Sequence, residues 1–162
     1  MTICDLHQKK IFSIARACVG SPFRHQGRNP AHGLDCIGLI IYVAKTIGLE
    51  DFGHKEYKKI PEKHALSRHA KAAGFAHCPK SEIKSGNILI LKFGKYLEHA
   101  AIISDRGIIH ACEKYGKVVE HGLDESWRSR IISVHTFPKP VSPRLFPQDY
   151  LTKSINENIG IK

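Results

Sequence analysis

At 162 residues, with 42% hydrophobic and 25% charged residues, the chain has the balance of one soluble globular domain with its own core, which excludes a disordered or collagen-like polymer. No apolar run approaches the ~20 residues that cross a bilayer, and Asp5, His7, Lys9, Lys10 and Arg16 interrupt the start, so neither a membrane span nor a signal-peptide core is expected. The formal charge of +10 favours an anionic partner, but without an Arg-rich block, a stacking aromatic pattern or a zinc-finger spacing it gives no reason to expect specific nucleic-acid binding.

Ile11, Ile14, Ala15 and Cys18 recur at helical spacing and predict a helix over residues 5–19, with Asp5 as N-cap and Gly20 at its stop. Residues 21–34, rich in Gly, Pro, Asn and His, predict a long irregular loop. A second helix follows over residues 35–47, capped by Asp35, stopped by Gly48 and apolar nearly all round, so it should be the most buried. Pro61 to Ala73 reads as a peripheral amphipathic helix.

From residue 87 the pattern changes to β-branched runs: NILILKF, EHAAIIS, GIIHAC, KVVEH and RIISVHTF. These predict an antiparallel sheet of about five strands. Helices first and strands afterwards give an α+β fold in one domain over residues 1–137. Residues 138–162, rich in proline and then polar, read as a tail that is packed along the surface or partly disordered.

Five cysteines without a Cys-x-x-Cys pair indicate neither a disulfide framework nor a zinc ribbon. Cys36 stands apart because it follows the Asp35 cap directly. At that position free N–H groups and the helix dipole favour a thiolate and point at a developing oxyanion. A buried cysteine is otherwise an ordinary small hydrophobe.

A base has to come from the strands. If Asp105-Arg106 form a two-residue hairpin loop, Ser104 pairs with Gly107 and Ala101 with His110. His99 and His110 are then diagonal neighbours on one face, about 7–8 Å apart between backbones. A one-residue slip would separate them. The set fits a nucleophile, a base and a residue that orients the base. With 11 histidines in the chain chance neighbours are easy. The rival is zinc on His32, Cys36, His99 and His110, but Gly33 interrupts the helix and the usual ligand spacings are absent, so no metal and no cofactor is expected.

The stretches GSPFRHQGRNPAHGLDCIGLI, KSGNILILKFGK, EHAAII and GIIHACEKYGKVVEHGL, in that order, resemble the NlpC superfamily of cell-wall cysteine peptidases. The resemblance runs from about Ile11 to Pro138, and Gly-x-Asp-Cys-x-Gly-Leu at residues 33–39 is its most specific element. RHQ, IHACEKYGKVVEH and ESWRSRIISVHTFP look most like the branch encoded with phage-tail and gene-transfer-agent genes.

This resemblance implies a papain-like fold and hydrolysis of peptidoglycan stem peptides, typically between D-glutamate and diaminopimelate, without a metal. Cys36 would be the nucleophile, His99 the base and His110 its orienting partner. It also implies, through that branch, phage-like tail proteins as partners and delivery to the periplasm or cell wall by a tail after synthesis in the cytoplasm. Family members that read a free L-alanine amine use a tyrosine, an aspartate and a serine where this chain has Phe23, Asp35 and Ile37. Recognition of that amine is therefore expected to be weak or absent. Asn87 replaces an aspartate in the turn before the first core strand. Two alternatives stay open: a non-catalytic tail-assembly or wall-binding module, and an amidase or acyltransferase of the same fold.

Overall fold

A computed structural model describes residues 2–49, 65–95 and 97–139. The first helix, α1 (Ile3–Ala17), begins two residues earlier than its periodicity suggests, because Thr2 is the N-cap and Asp5 completes a reciprocal box with it. Asp5 is thus the third residue of the first turn and not the cap. The loop behind α1 is less irregular than expected. Arg28–Asn29 (β1) and Gly33–Leu34 (β2) form a minimal antiparallel hairpin within it.

Helix α2 (Cys36–Thr46) follows, with Asp35 as its N-cap. It buries Leu39, Val43 and Ala44 completely, as its all-round apolarity requires. Helix α3 spans Ala65–Ala72; the start of the expected Pro61–Ala73 helix lies outside the described residues. None of the described helices is long and apolar enough to cross a membrane.

Five of the six strands in the main sheet are those read from the sequence: β4 (Ile88–Phe93), β5 (Leu97–Ile103), β6 (Ile108–Cys112), β7 (Lys117–His121) and β8 (Ile131–Thr136). The sixth, β3 (Ala76–Cys78), is a short, largely exposed edge strand with too few residues to show alternation. Spatial order is β3-β8-β4-β5-β6-β7, antiparallel throughout. A short helix, α4 (Glu125–Arg128), precedes β8. The tail expected over residues 138–162 lies outside the described residues beyond Lys139.

Both faces of the sheet are covered, which is why its central strands read as continuous apolar runs. Ile88, Ile90, Ala100, Ile102, Ile109 and Val118 pack in one cluster with Ile11, Ala15, Leu39 and Val43 from α1 and α2. Leu89, Leu91, Ala101, Ile103, Ile108 and Val134 form the second cluster on the opposite face, closed by Phe93, Leu123 and Trp127. Each large apolar side chain so enclosed contributes about 1.5–3 kcal/mol.

The Asp105-Arg106 turn has the register that places the histidines. Ser104 N–H donates to Gly107 O at 2.9 Å, and the ladder pairs Ile103 with Ile108 and Ile102 with Ile109. A polar clamp holds this turn to α1. The Arg16 guanidinium binds Glu120 on β7 through Nε (2.9 Å) and Nη2 (2.7 Å), and it also pairs with Asp105. Ser104 Oγ donates to the same Glu120 carboxylate at 2.7 Å and accepts from Arg106 N–H at 3.1 Å.

Candidate active site

Asp35 organises the N-terminal end of α2. Its Oδ1 accepts from Gly38 N–H at 2.7 Å, which closes the first turn, and its Oδ2 accepts from Gln26 N–H at 2.6 Å. Arg28 Nη1 adds a contact to Oδ1 at 3.3 Å. Gln26 is placed for this by a left-handed backbone, φ 56°. The carboxylate is buried and joins the helix to the loop that wraps over it. Its oxygens thus already accept from donors of this chain. Asp35→Ala should leave the Gly38 and Gln26 amides without their acceptor and lower stability by about 2–3 kcal/mol, measured as a fall in the urea midpoint.

Cys36 opens α2 with its residue surface partly exposed and its thiol enclosed. Burial pushes the thiol up to about 11; the backbone amides of Ala100, Ile37 and Cys36 pull in the other direction and do not cancel it. The helix N-terminus therefore favours the thiolate as expected, but desolvation is larger. The Ala100 amide is available because the β5–β6 ladder is paired only at Ile102–Ile109 and Ile103–Ile108. Its neighbour on β5 is His99, so the first residue of α2 and the His99 end of β5 meet there. Asp35 acts electrostatically on both Cys36 and His99.

His99 is half-buried, and its Nε2 lies 2.8 Å from His110 Nδ1, with the rings edge-on at 84°. The diagonal pairing inferred from the turn is realised. His110 is 1% exposed. Burial pushes His99 down to about 4 and His110 down to about 3, the latter helped by His99 and His121 on either side. Thiol and imidazole are thus both held neutral at rest by the same cause, the cost of an isolated charge in an enclosed site.

The linkage has a definite sign. The unfolded chain takes up protons on these two histidines near 6.5 whereas the folded chain resists until about 4 and about 3. Stability from this source is full above pH 6.5 and is lost as pH falls through that window. Denaturant titrations should show it, and His110→Gln should flatten the slope.

A third histidine completes an array that the sequence reading missed. His121 Nε2 lies 2.8 Å from His110 Nε2, and His121 Nδ1 lies 2.9 Å from Gly122 O. The signal was present. The β6–β7 hairpin pairs His110 with Val119, so His121 is the next diagonal neighbour on the same face. Trp127 covers His110 and His121 at ring distances of 5.1 and 4.8 Å, and Phe93 packs against His99 at 5.2 Å.

Ile37 and Phe23 are half-buried; Phe23 and Cys36 pack against the cluster on the helix side. Phe23 is held through its N–H to Gly116 O at 2.8 Å. His32 is exposed in the β1–β2 turn, and among the described residues no group of three or more His, Cys, Asp or Glu side chains is arranged to hold a metal ion. Asn87 is buried and shapes its turn by accepting Lys84 N–H on Oδ1 at 2.8 Å.

A family profile described as NlpC/P60 family matches residues 20–136. Among solved structures, the chain is similar to the NlpC/p60 domain of the peptidoglycan hydrolase SagA, with 21% identity and a TM-score of 0.58 over 80% of this chain and 97% of that one. It is also similar to a lipoprotein-like protein of the NLP/P60 family from Staphylococcus aureus, with 19% identity and a TM-score of 0.56 over 84% of this chain. The alignment spans 43% of that longer protein. No curated protein matches the chain.

Proposed function

The chain belongs to the NlpC/P60 family, and on that premise we propose that it is a cell-wall hydrolase in which Cys36 attacks a peptide bond of a peptidoglycan stem. The observation that carries this reading is the 2.8 Å contact between His99 and His110 on the strand whose Ala100 amide serves the Cys36 thiol. The solved neighbour described as a peptidoglycan hydrolase supplies the substrate class by analogy.

Cys36 Sγ adds to the amide carbonyl carbon while its proton passes to His99 Nδ1. Attack and proton transfer are coupled, because each charge alone is disfavoured in the enclosed site. The N–H groups that favour a thiolate at α2 also favour the oxyanion. His99 then gives the proton to the departing amine, leaving a thioester. Water, deprotonated by His99, adds to the thioester, and Cys36 leaves and is reprotonated. His110 holds the His99 ring in plane and orientation throughout.

The bond we assign is that between D-glutamate and diaminopimelate, and the setting is a phage-like tail that carries the enzyme to the wall; both rest on the sequence resemblance. With Phe23 and Ile37 where polar groups would read a free L-alanine amine, stem peptides with and without a free N-terminus should be cut at rates within a few-fold of each other, since only ordinary apolar contacts are then at stake. Competition between the two peptides measures this.

Incubation with diaminopimelate-type peptidoglycan, followed by mass spectrometry for newly freed diaminopimelate amines, tests the reading. Fragments with that new terminus support it. Salt-sensitive sedimentation with intact wall and no fragments would replace it with the wall-binding module.

A further inference from the structure

The His99–His110–His121 array ends on a group with only one hydrogen-bonding role. A backbone carbonyl accepts and never donates. At 2.9 Å from Gly122 O, His121 Nδ1 must therefore carry the proton of that contact. With His121 neutral, its Nε2 is then a bare lone pair facing His110 Nε2 at 2.8 Å. Two bare nitrogens at that distance repel, so His110 Nε2 carries the proton between them.

The same reasoning passes one ring further. Burial keeps His110 and His99 neutral near neutral pH, so each ring has one N–H. His110 Nδ1 is bare and must accept, and His99 Nε2–H must donate across the 2.8 Å contact. The remaining nitrogen, His99 Nδ1, is left as a lone pair. Among the described residues no hydrogen-bond partner is recorded for it.

We propose that His121, anchored by the Gly122 carbonyl, is a positioning residue that fixes the tautomers of His110 and His99 in sequence, so that the base always presents an unprotonated Nδ1 to the reaction. This inference deepens the hydrolase reading and rests on it for its catalytic meaning. The array itself stands on geometry alone.

The fold holds the array in the required orientation. His99, His110 and His121 project from adjacent strands on the face that also carries Ala101 and Ile108. Gly107 sits so close to the last ring's backbone that a Cβ there would lie 2.0 Å from His121 O. Trp127 covers the second and third rings, shielding the contacts from competing water. The Trp127 backbone N–H donates to the Asp124 cap at 3.1 Å. Among the described residues, the polar contacts of His110 are the two imidazoles. Without His121, no other described residue selects between its two neutral forms.

The direction of the chain depends on which end is the acceptor. A donor in place of His121 Nε2 would reverse every bond and put the proton of His99 on Nδ1, where it disables the base. A side chain with an acceptor in that position should preserve the direction. Glutamine brings its amide to about the reach of Nε2 with an oxygen acceptor and an NH2 donor side by side, whereas phenylalanine keeps the aromatic contact with Trp127 and offers neither.

The test is side-chain 15N NMR of histidine-labelled protein near neutral pH, with resonances assigned by single His→Gln variants. In wild type, His99 and His110 should each show a protonated Nε2 and a bare Nδ1, and His121 the opposite. His121→Phe should lose the single-tautomer signature at His110 and His99 and lower kcat about 10-fold to 100-fold, with KM little changed; that is the range removal of an outer orienting partner produces. His121→Gln should recover only part of both, because its amide can turn either the oxygen or the NH2 to His110. A protonated Nδ1 on His99 in wild type, or unchanged tautomers in His121→Phe, would overturn the relay.

The tautomer readout needs no substrate. The expected tautomers without peptidoglycan cleavage would therefore sink the hydrolase reading and leave the relay. Cleavage with unmoved tautomers in His121→Phe would do the reverse.

Discussion

Replacing Cys36 with alanine is expected to end release of diaminopimelate amines from peptidoglycan while leaving the fold and wall binding intact. The thiol is the only group placed at the first residue of α2 that can form a covalent acyl intermediate, and the remaining N–H groups and histidines offer only polarisation of water. Loss of a nucleophile that works together with its base costs at least about 10^4-fold in rate. The side chain packs with the helix-side cluster, but alanine removes only its sulfur, so truncation should cost about 1 kcal/mol of stability. Cys36→Ser retains shape with a far weaker nucleophile and should be nearly as inactive. Turnover of the alanine variant at more than about a hundredth of wild-type rate would show that the chemistry does not run through this thiol.

Gly38→Ala should be the most damaging single methyl group in the site. A Cβ at Gly38 would lie 1.9 Å from Gly27 O and 3.2 Å from Arg28 Nη1. The first of these is backbone and has no rotamer with which to yield. The loop must lift off the helix, taking with it Gln26 and Arg28, the donors that hold Asp35. We expect a loss of about 3 kcal/mol, at the upper end of ordinary overpacking, together with a rate loss of about 10²-fold from the displaced Cys36. Gly94 gives the contrast. A Cβ there meets nothing within 4 Å, and its φ of +70° leaves only a backbone penalty of about 1 kcal/mol. Urea midpoints and hydrolysis rates for the two variants separate steric closure of the site from glycine replacement in general. Equal midpoints would mean that the loop is not seated on α2 as described.

Much of this arrangement was legible before any coordinates. The apolar run after Asp35-Cys36 encoded both a buried helix and its cap, because capping is a local interaction between residues three apart. The His99–His110 contact followed from a tight turn and the twofold period of strands, both of which are properties of a single hairpin. What escaped notice was non-local or too short to be periodic. β3 pairs with β8 across about a third of the chain and has three residues. The β1–β2 hairpin has two residues per strand and is specified by contacts to α2, not by alternation. The cap at α1 was misplaced by three residues because Thr2 and Asp5 each satisfy the other, so either alone looks like the helix start. The thiol's direction of titration was misjudged for a different reason. A helix N-terminus can be read from sequence, while the desolvation that outweighs it depends on what packs over the site.

The Arg16 clamp ties residues 104 positions apart in the chain. In polymer terms it closes one of the longest loops in the molecule, and closure entropy grows with loop length. The helices and hairpins can form from local contacts, but the turn that sets the histidine register is locked only when α1 returns to meet it. The register of the histidines is accordingly a property of the whole domain, and loosening α1 or β7 loosens the turn with it.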